Sequence, residues 1–305
     1  MSVLPLKGPR WVTVRQHRRA LWALPAAVAA SLGVVVALRW WAGNPAGLLW
    51  NVPDGPLRVG MEYAGMAMLF LPLLLGAFVA GPMVARELES GTYRLALTQS
   101  ATPGAWLASK ITVAGVAAVA GSAALAGVYR LGWAPLEGTY RFSWADRGPY
   151  EVLGTVLVAY CLLGVAVGAL VGQLVRRTLA AMAVTGLVTG LVMALLGALR
   201  WSILPVRTLT ASGVGNGVPM PPGDSLMMDT GLVTASGGRL PEWTCFARSG
   251  SLRACPEDLN VAGWYVDYHP AAHYWPTQSI ETAVVLALAA LALWAAFAVL
   301  RARHP

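Results

Sequence analysis

Six stretches of this chain, 20–41, 61–84, 106–131, 151–175, 179–200 and 279–300, are almost continuously apolar and lack the every-other-residue alternation of a barrel strand. In hydrocarbon, backbone polar groups must be satisfied within the segment, so runs of about 20 apolar residues predict spanning helices. The predicted class is therefore an all-α integral membrane protein with six transmembrane helices. A long Gly- and Pro-rich segment, 201–278, separates the fifth run from the sixth and reads as irregular. Residues 1–19 place Trp11, Val12 and Val14 among basic residues, the pattern of an amphipathic helix at a membrane surface. The first run has the basic start of a signal peptide. It is too long for one, and it ends in Arg39-Trp40-Trp41 instead of a small-residue cleavage site. The third run opens with Thr102 as helix cap and Pro103 in the first turn.

Composition agrees with this class: 57% of residues are hydrophobic and 12% charged, about half the charge of a soluble domain. The charges also set an orientation. The N-terminal segment, the 85–110 region, the Arg176-Arg177 turn and the C-terminal tail hold Lys7, Arg10, Arg15, Arg18, Arg19, Arg86, Arg94, Lys110, Arg176, Arg177, Arg301 and Arg303. Only Glu87 and Glu89 oppose them, a net of +10 that leaves −2 elsewhere to make the formal +8. Basic residues on one face place both termini in the cytoplasm and 201–278 outside. They also account for the positive charge without nucleic acid as a partner. Glu62, Glu151 and Glu281 fall at outer helix starts, where they would meet the positive ends of helix dipoles at the membrane surface. Trp40, Trp41, Trp133, Trp201 and Trp275 fall at the same level, as an aromatic belt would.

Candidate chemistry is sparse. The central parts of the runs offer only Ser122, Tyr160, Cys161, Thr185 and Thr189, which argues against ion-driven transport and for amphipathic or apolar cargo. There is no HExxH motif, no evident Ser/His/Asp set, and no phosphate-binding loop around either lysine, Lys7 or Lys110. The chain is expected to have no catalytic residues, no metal and no cofactor. If ATP drives it, ATP and Mg belong to a separate chain. Asp267, His269 and His273, with Met220, Met227 and Met228, could capture a metal, though Pro270 breaks the helix that would align the two His. Packing among surface aromatics explains them as well. Cys245 and Cys255 form a disulfide if the segment faces an oxidising exterior, and are free thiols otherwise. Gly164, Gly168 and Gly172, with Gly186 and Gly190, let helices approach closely, either within one subunit or between subunits.

One polar stretch, 85–110, sits between two apolar runs and reads ARELESGTYRLALTQSATPGAWLASK. Its Glu87-Leu-Glu89-Ser-Gly91-Thr92 step, then Leu95, Leu97-Thr98, Thr102 and Lys110, resembles the ABC-2 type permease family. The six-span plan, the N-terminal helix and Arg15-Gln16-His17-Arg18 before the first run extend the resemblance to nearly everything except 201–278. It implies a type V exporter-like fold in a bacterial plasma membrane, with hairpin 85–105 as a coupling element. Arg86, Glu87, Glu89, Gly91, Thr92, Arg94, Thr98, Ser100 and Thr102 would then meet a separate ATPase subunit, the carboxylates pairing with its cations. A second permease subunit and membrane lipid complete the implied partners. Ser100 stands where many members have Pro, and Pro103 where they have a basic residue. An ordinary solvated hairpin explains the charges too, but not the ordered Gly-Thr and Thr-Pro steps. From another class, a membrane sensor or antimicrobial-immunity module with 201–278 as its ligand-binding part also fits.

Overall fold

The computed structural model describes residues 9–16, 18–43, 55–94, 102–137, 143–250 and 255–303. They divide into a helical unit (1–137, 147–200 and 278–305) and a second unit (138–146 and 201–277). Six helices are long and apolar enough to cross a membrane: Leu21–Ala42, Gly55–Glu89, Pro103–Leu136, Val156–Val175, Thr178–Ser202 and Ala271–Arg303. We call them spans one to six.

Span four is the axis of the helical unit. Of its most apolar window, 83% is buried, against 6% for span one. Spans two, five and six share a buried cluster with it that includes Ala85, Tyr160, Leu163, Ala181, Val285 and Ala289. The glycines of span four allow this. A Cβ on Gly164 would stand 2.7 Å from the Pro72 carbonyl oxygen, and one on Gly168 would stand 2.6 Å from the Ala80 Cβ and 2.7 Å from the Gly81 nitrogen. Gly172 backs onto Gly81 and Val84 in the same way. Gly186 and Gly190 of span five meet Ala77 and Leu73. Each of these glycines thus admits a neighbouring helix of the same chain. Gly168→Ala is expected to cost about 1–3 kcal/mol through overpacking, read as a lower unfolding temperature of the detergent-purified chain. An unchanged midpoint would remove the close contact from the account.

Span two is not a uniform helix. It runs as Gly55–Leu69, Leu71–Leu74, a π-helical stretch Leu75–Ala80 and Gly81–Glu89. Pro72 has no N–H to give the carbonyl one turn back, which breaks the helix at Phe70. The wider π turn then brings Gly76 onto Gly164. The irregular backbone lies against protein, where its polar groups find partners.

Before span one, the helix Pro9–Gln16 leaves Trp11 and Val12 about half exposed, while Thr13 is buried and meets Ser109 of span three at 3.4 Å between hydroxyls. Trp40, Trp41 and Trp275 are exposed as a belt requires, but Trp133 is 5% exposed. It faces protein, which corrects its place in the expected belt.

The second unit corrects the all-α expectation and the irregular reading of 201–278. It holds a four-stranded antiparallel sheet in the order β1-β4-β2-β3: β1 Arg207–Ser212, β2 Leu226–Thr234, β3 Arg239–Pro241 and β4 Val261–His269. Its glycines and prolines stand mainly outside the strands. Gly213, Gly217, Gly223 and Gly237 have positive φ and make the turns, so a composition that suggests disorder is the punctuation of a sheet. Cys245 and Cys255 are joined in a disulfide that packs with Leu232 and Trp264.

Candidate functional site

The polar stretch after span two is fixed by its own acids. Glu87 accepts hydrogen bonds from Lys110 Nζ at 2.6 Å and from Trp106 Nε1 at 2.8 Å. Lys110 is 2% exposed and Glu87 19%, so this ion pair is nearly buried. Glu89 reaches the Arg176-Arg177 turn. There its Oε2 accepts from the Thr178 backbone N–H at 2.9 Å and from the Thr178 hydroxyl, satisfying an orphan donor at the start of span five. That turn is made by Arg176, a non-glycine residue at φ 54°, whose N–H still caps span four at Gly172. Leu88 and Tyr93 pack onto Trp106, Ala296 and Leu300. One short segment is thus tied to spans three, five and six.

Both carboxylates that the resemblance assigns to a partner's cations also have partners inside the chain, Glu87 on Lys110 and Trp106 and Glu89 on Thr178. The exposed residues are Arg86, Glu89, Ser90, Thr92 and Arg94, with the Glu89 carboxylate bonded to Thr178. Gly91, at φ +73°, makes the corner between them, and the Ser90 and Thr92 hydroxyls bond to each other at 2.9 Å. The outward face is therefore basic and hydroxylated. Thr102 caps span three, its hydroxyl accepting from the Ala105 N–H at 3.2 Å. Thr98 and Ser100 lie outside the described residues.

At the other end of spans four to six lies a cluster the sequence reading missed. Arg200 donates to both oxygens of Glu281 (2.8 and 2.9 Å) and to Glu151 Oε1 at 2.9 Å. Tyr150 and Tyr160 donate to the same Glu281 carboxylate at 3.1 and 2.8 Å, and the guanidinium stands 4.0 Å over the Tyr150 ring. Arg200, Glu281 and Glu151 are 3%, 2% and 7% exposed. Glu151 and Glu281 are therefore members of a buried ion cluster, not carboxylates at a membrane surface; Glu62, half exposed beside Arg58, keeps the surface position. The available signal was three ionisable residues within a turn or two of the ends of adjacent runs, at the one level where a buried charge can find partners. The cluster holds two carboxylates against one guanidinium, and Glu151 Oε2 has no partner.

The His269–His273 pair is satisfied locally. Their Nδ1 atoms lie 2.9 Å apart, and His269 Nε2 lies 3.1 Å from the Trp201 carbonyl. Asp267 pairs with Arg239 at 2.6 Å and accepts from Thr208. Burial pushes the Asp267 carboxyl up, but the Thr208 hydroxyl and the Arg239 guanidinium outweigh it and hold the group below the usual carboxylate value. The pair therefore stabilises the sheet above the ordinary carboxylate range, and that contribution fades as pH falls through the lowered value. Among the described residues no three His, Cys, Asp or Glu side chains gather as a metal site would require.

Residues 54–200, which contain spans two to five, the polar stretch and Arg200, match the family model described as ABC-2 membrane transporter related. No curated protein and no solved structure matches the chain. With six helices apolar and long enough to cross a bilayer, this is a multi-pass membrane protein carrying an ABC-2 membrane transporter related domain at residues 54–200, consistent with an ABC-2 type permease.

Proposed function

We propose that the chain is the permease subunit of an ATP-driven exporter, paired with a second permease and with separate ATPase subunits that hold ATP and Mg. The observation that carries this is the segment after span two. Its acids and apolar side chains fix it to spans three, five and six, while Arg86, Ser90, Thr92 and Arg94 face outward. A segment so anchored moves these helices when it is pushed. Its outward face suits an acidic groove on a cytoplasmic partner, and the basic bias of that side supports both termini being cytoplasmic. The spans carry few central polar groups, which supports an amphipathic small molecule, lipid or peptide as cargo. In the alternating-access cycle implied by the resemblance, ATPase closure presses the segment and spans one, two and five repack.

The test reverses charge on the outward face alone. Arg86→Glu with Arg94→Glu is expected to abolish co-purification with the partner ATPase and to lose cargo-stimulated ATP hydrolysis. The chain's own unfolding temperature should stay within the spread of surface substitutions, about 0.5 kcal/mol. An intact complex with full stimulation would sink the coupling role.

A further inference from the structure

The second unit carries a cleft of about 590 Å³, apart from the residues of the coupling proposal. Its origin is the mismatch between β2 and β3. β2 has nine residues, whereas β3 has three and pairs only with Gly231, Leu232 and Val233. Pro241 ends β3, and proline has no N–H with which to extend the ladder. The chain then turns away through Glu242 and Trp243 into the helix Thr244–Ser249, which the disulfide holds. The edge of β2 from Leu226 to Thr230 is left with no strand beside it among the described residues.

Natural sheets blunt open edges with lysine, proline, bulges or a cover. This edge has no lysine and no covering strand among the described residues. Here a bulge at Met228 breaks the alternation, and Met227, Met228 and Asp229 are exposed in succession. Trp243 forms a wall of the cleft and is 62% exposed.

Charge narrows the occupant. Arg239, the one cation in the lining, is committed to Asp267 at 2.6 Å and lies over the Tyr265 ring at 4.5 Å. Among the described residues Asp229 accepts the Tyr265 hydroxyl at 2.9 Å and Glu242 the Thr230 hydroxyl at 2.8 Å, and neither accepts a second side chain. Asp229 and Glu242 therefore face the cleft with Arg239 as the one guanidinium in its lining, and Asp267 already takes that guanidinium as its ion-pair partner, so the lining is net acidic.

We propose that this cleft binds an extended cationic peptide, which adds as a short strand to the open edge of β2, sets Lys or Arg against Asp229 and Glu242, and rests apolar side chains on Met227, Met228 and Trp243. Backbone pairing supplies the anchor, the carboxylates select charge, and the indole face adds a cation–π contact. The site stands on the second unit alone and does not depend on the coupling proposal.

The test uses the full chain in phosphatidylcholine nanodiscs without any ATPase, with empty nanodiscs subtracted. Three fluorescein-labelled hexapeptides are titrated: alternating Lys-Leu, alternating Glu-Leu, and the Lys-Leu peptide N-methylated at every second residue. The Lys-Leu peptide is expected to bind at least about tenfold more tightly than either of the others, a difference of about 1.4 kcal/mol. Asp229→Asn with Glu242→Gln should remove most of that preference, with the Cys245–Cys255 bridge retained as the check on folding. Trp243→Ala should weaken binding about three- to tenfold. Equal binding of the Lys and Glu peptides would overturn the charge assignment. Equal binding of the N-methylated peptide would replace strand addition with side-chain capture of a small cation and so overturn the peptide. No binding up to millimolar peptide would overturn the site.

Discussion

Arg200→Met is expected to cost about 3–5 kcal/mol, the usual penalty for removing one partner from a buried ion pair. It would strand two carboxylates that are 2% and 7% exposed. Glu281 would keep the Tyr150 and Tyr160 hydroxyls, whereas Glu151 would lose the one side-chain partner its carboxylate has among the described residues. The desolvation of these charges, not the strength of the bonds, sets the size of the effect. A triple variant with Arg200→Met, Glu151→Gln and Glu281→Gln should therefore recover most of the loss, because no charge remains to be compensated. Thermal unfolding in detergent checks both. A single substitution that costs less than about 0.5 kcal/mol, the range of ordinary surface changes, would show that the cluster is wet and the burial argument wrong. The cluster also limits how spans four, five and six move. Each contributes a member or a flanking residue, so the ends of these spans at the cluster travel together or the ions must find new partners.

The spans were legible because hydrocarbon imposes one rule on every residue within it. Length and continuity of apolar positions sufficed, and Thr102-Pro103 marked a helix start that the structure reproduces, with Thr102 as cap and Pro103 as the first helical residue. The sheet was hidden for the opposite reason. The signal of strands such as Val261–His269 was outweighed by the glycines and prolines that connect them. Partners of charged groups were the least legible part. Glu151, Arg200 and Glu281 are distant in sequence, and each alone resembles a residue at a helix end in contact with water. The same holds for Glu87, whose placement between two spans suggested a surface acid and which pairs with a buried Lys110; Glu89 is exposed, and only its bond to Thr178 was hidden. Which side chain answers a carboxylate depends on helix rotation, and an apolar pattern without a strongly polar face does not encode that.

Glu87→Ala and Lys110→Met remove opposite halves of one ion pair, and their effects are expected to differ. The first strands an ammonium that is 2% exposed, with the Trp106 ring 5.6 Å away as its remaining favourable contact; a loss of about 3 kcal/mol is expected, the lower end for a broken buried pair. The second leaves Glu87, 19% exposed and still bonded to the Trp106 indole, able to turn to water, and about 1 kcal/mol is expected, the size of one hydrogen bond. Urea or thermal unfolding of the purified chain separates the two, and equal losses would mean that the pair is solvated in both directions. The same comparison bears on coupling. If the segment transmits force through its anchor on span three, Lys110→Met should keep the ATPase bound through Arg86 and Arg94 while cargo-stimulated hydrolysis falls. The outward charge reversal should instead lose binding itself. A Lys110→Met complex with full stimulation would place the transmitting contact elsewhere, and the bond from Glu89 to Thr178 at the head of span five is the remaining polar link through which the push could travel.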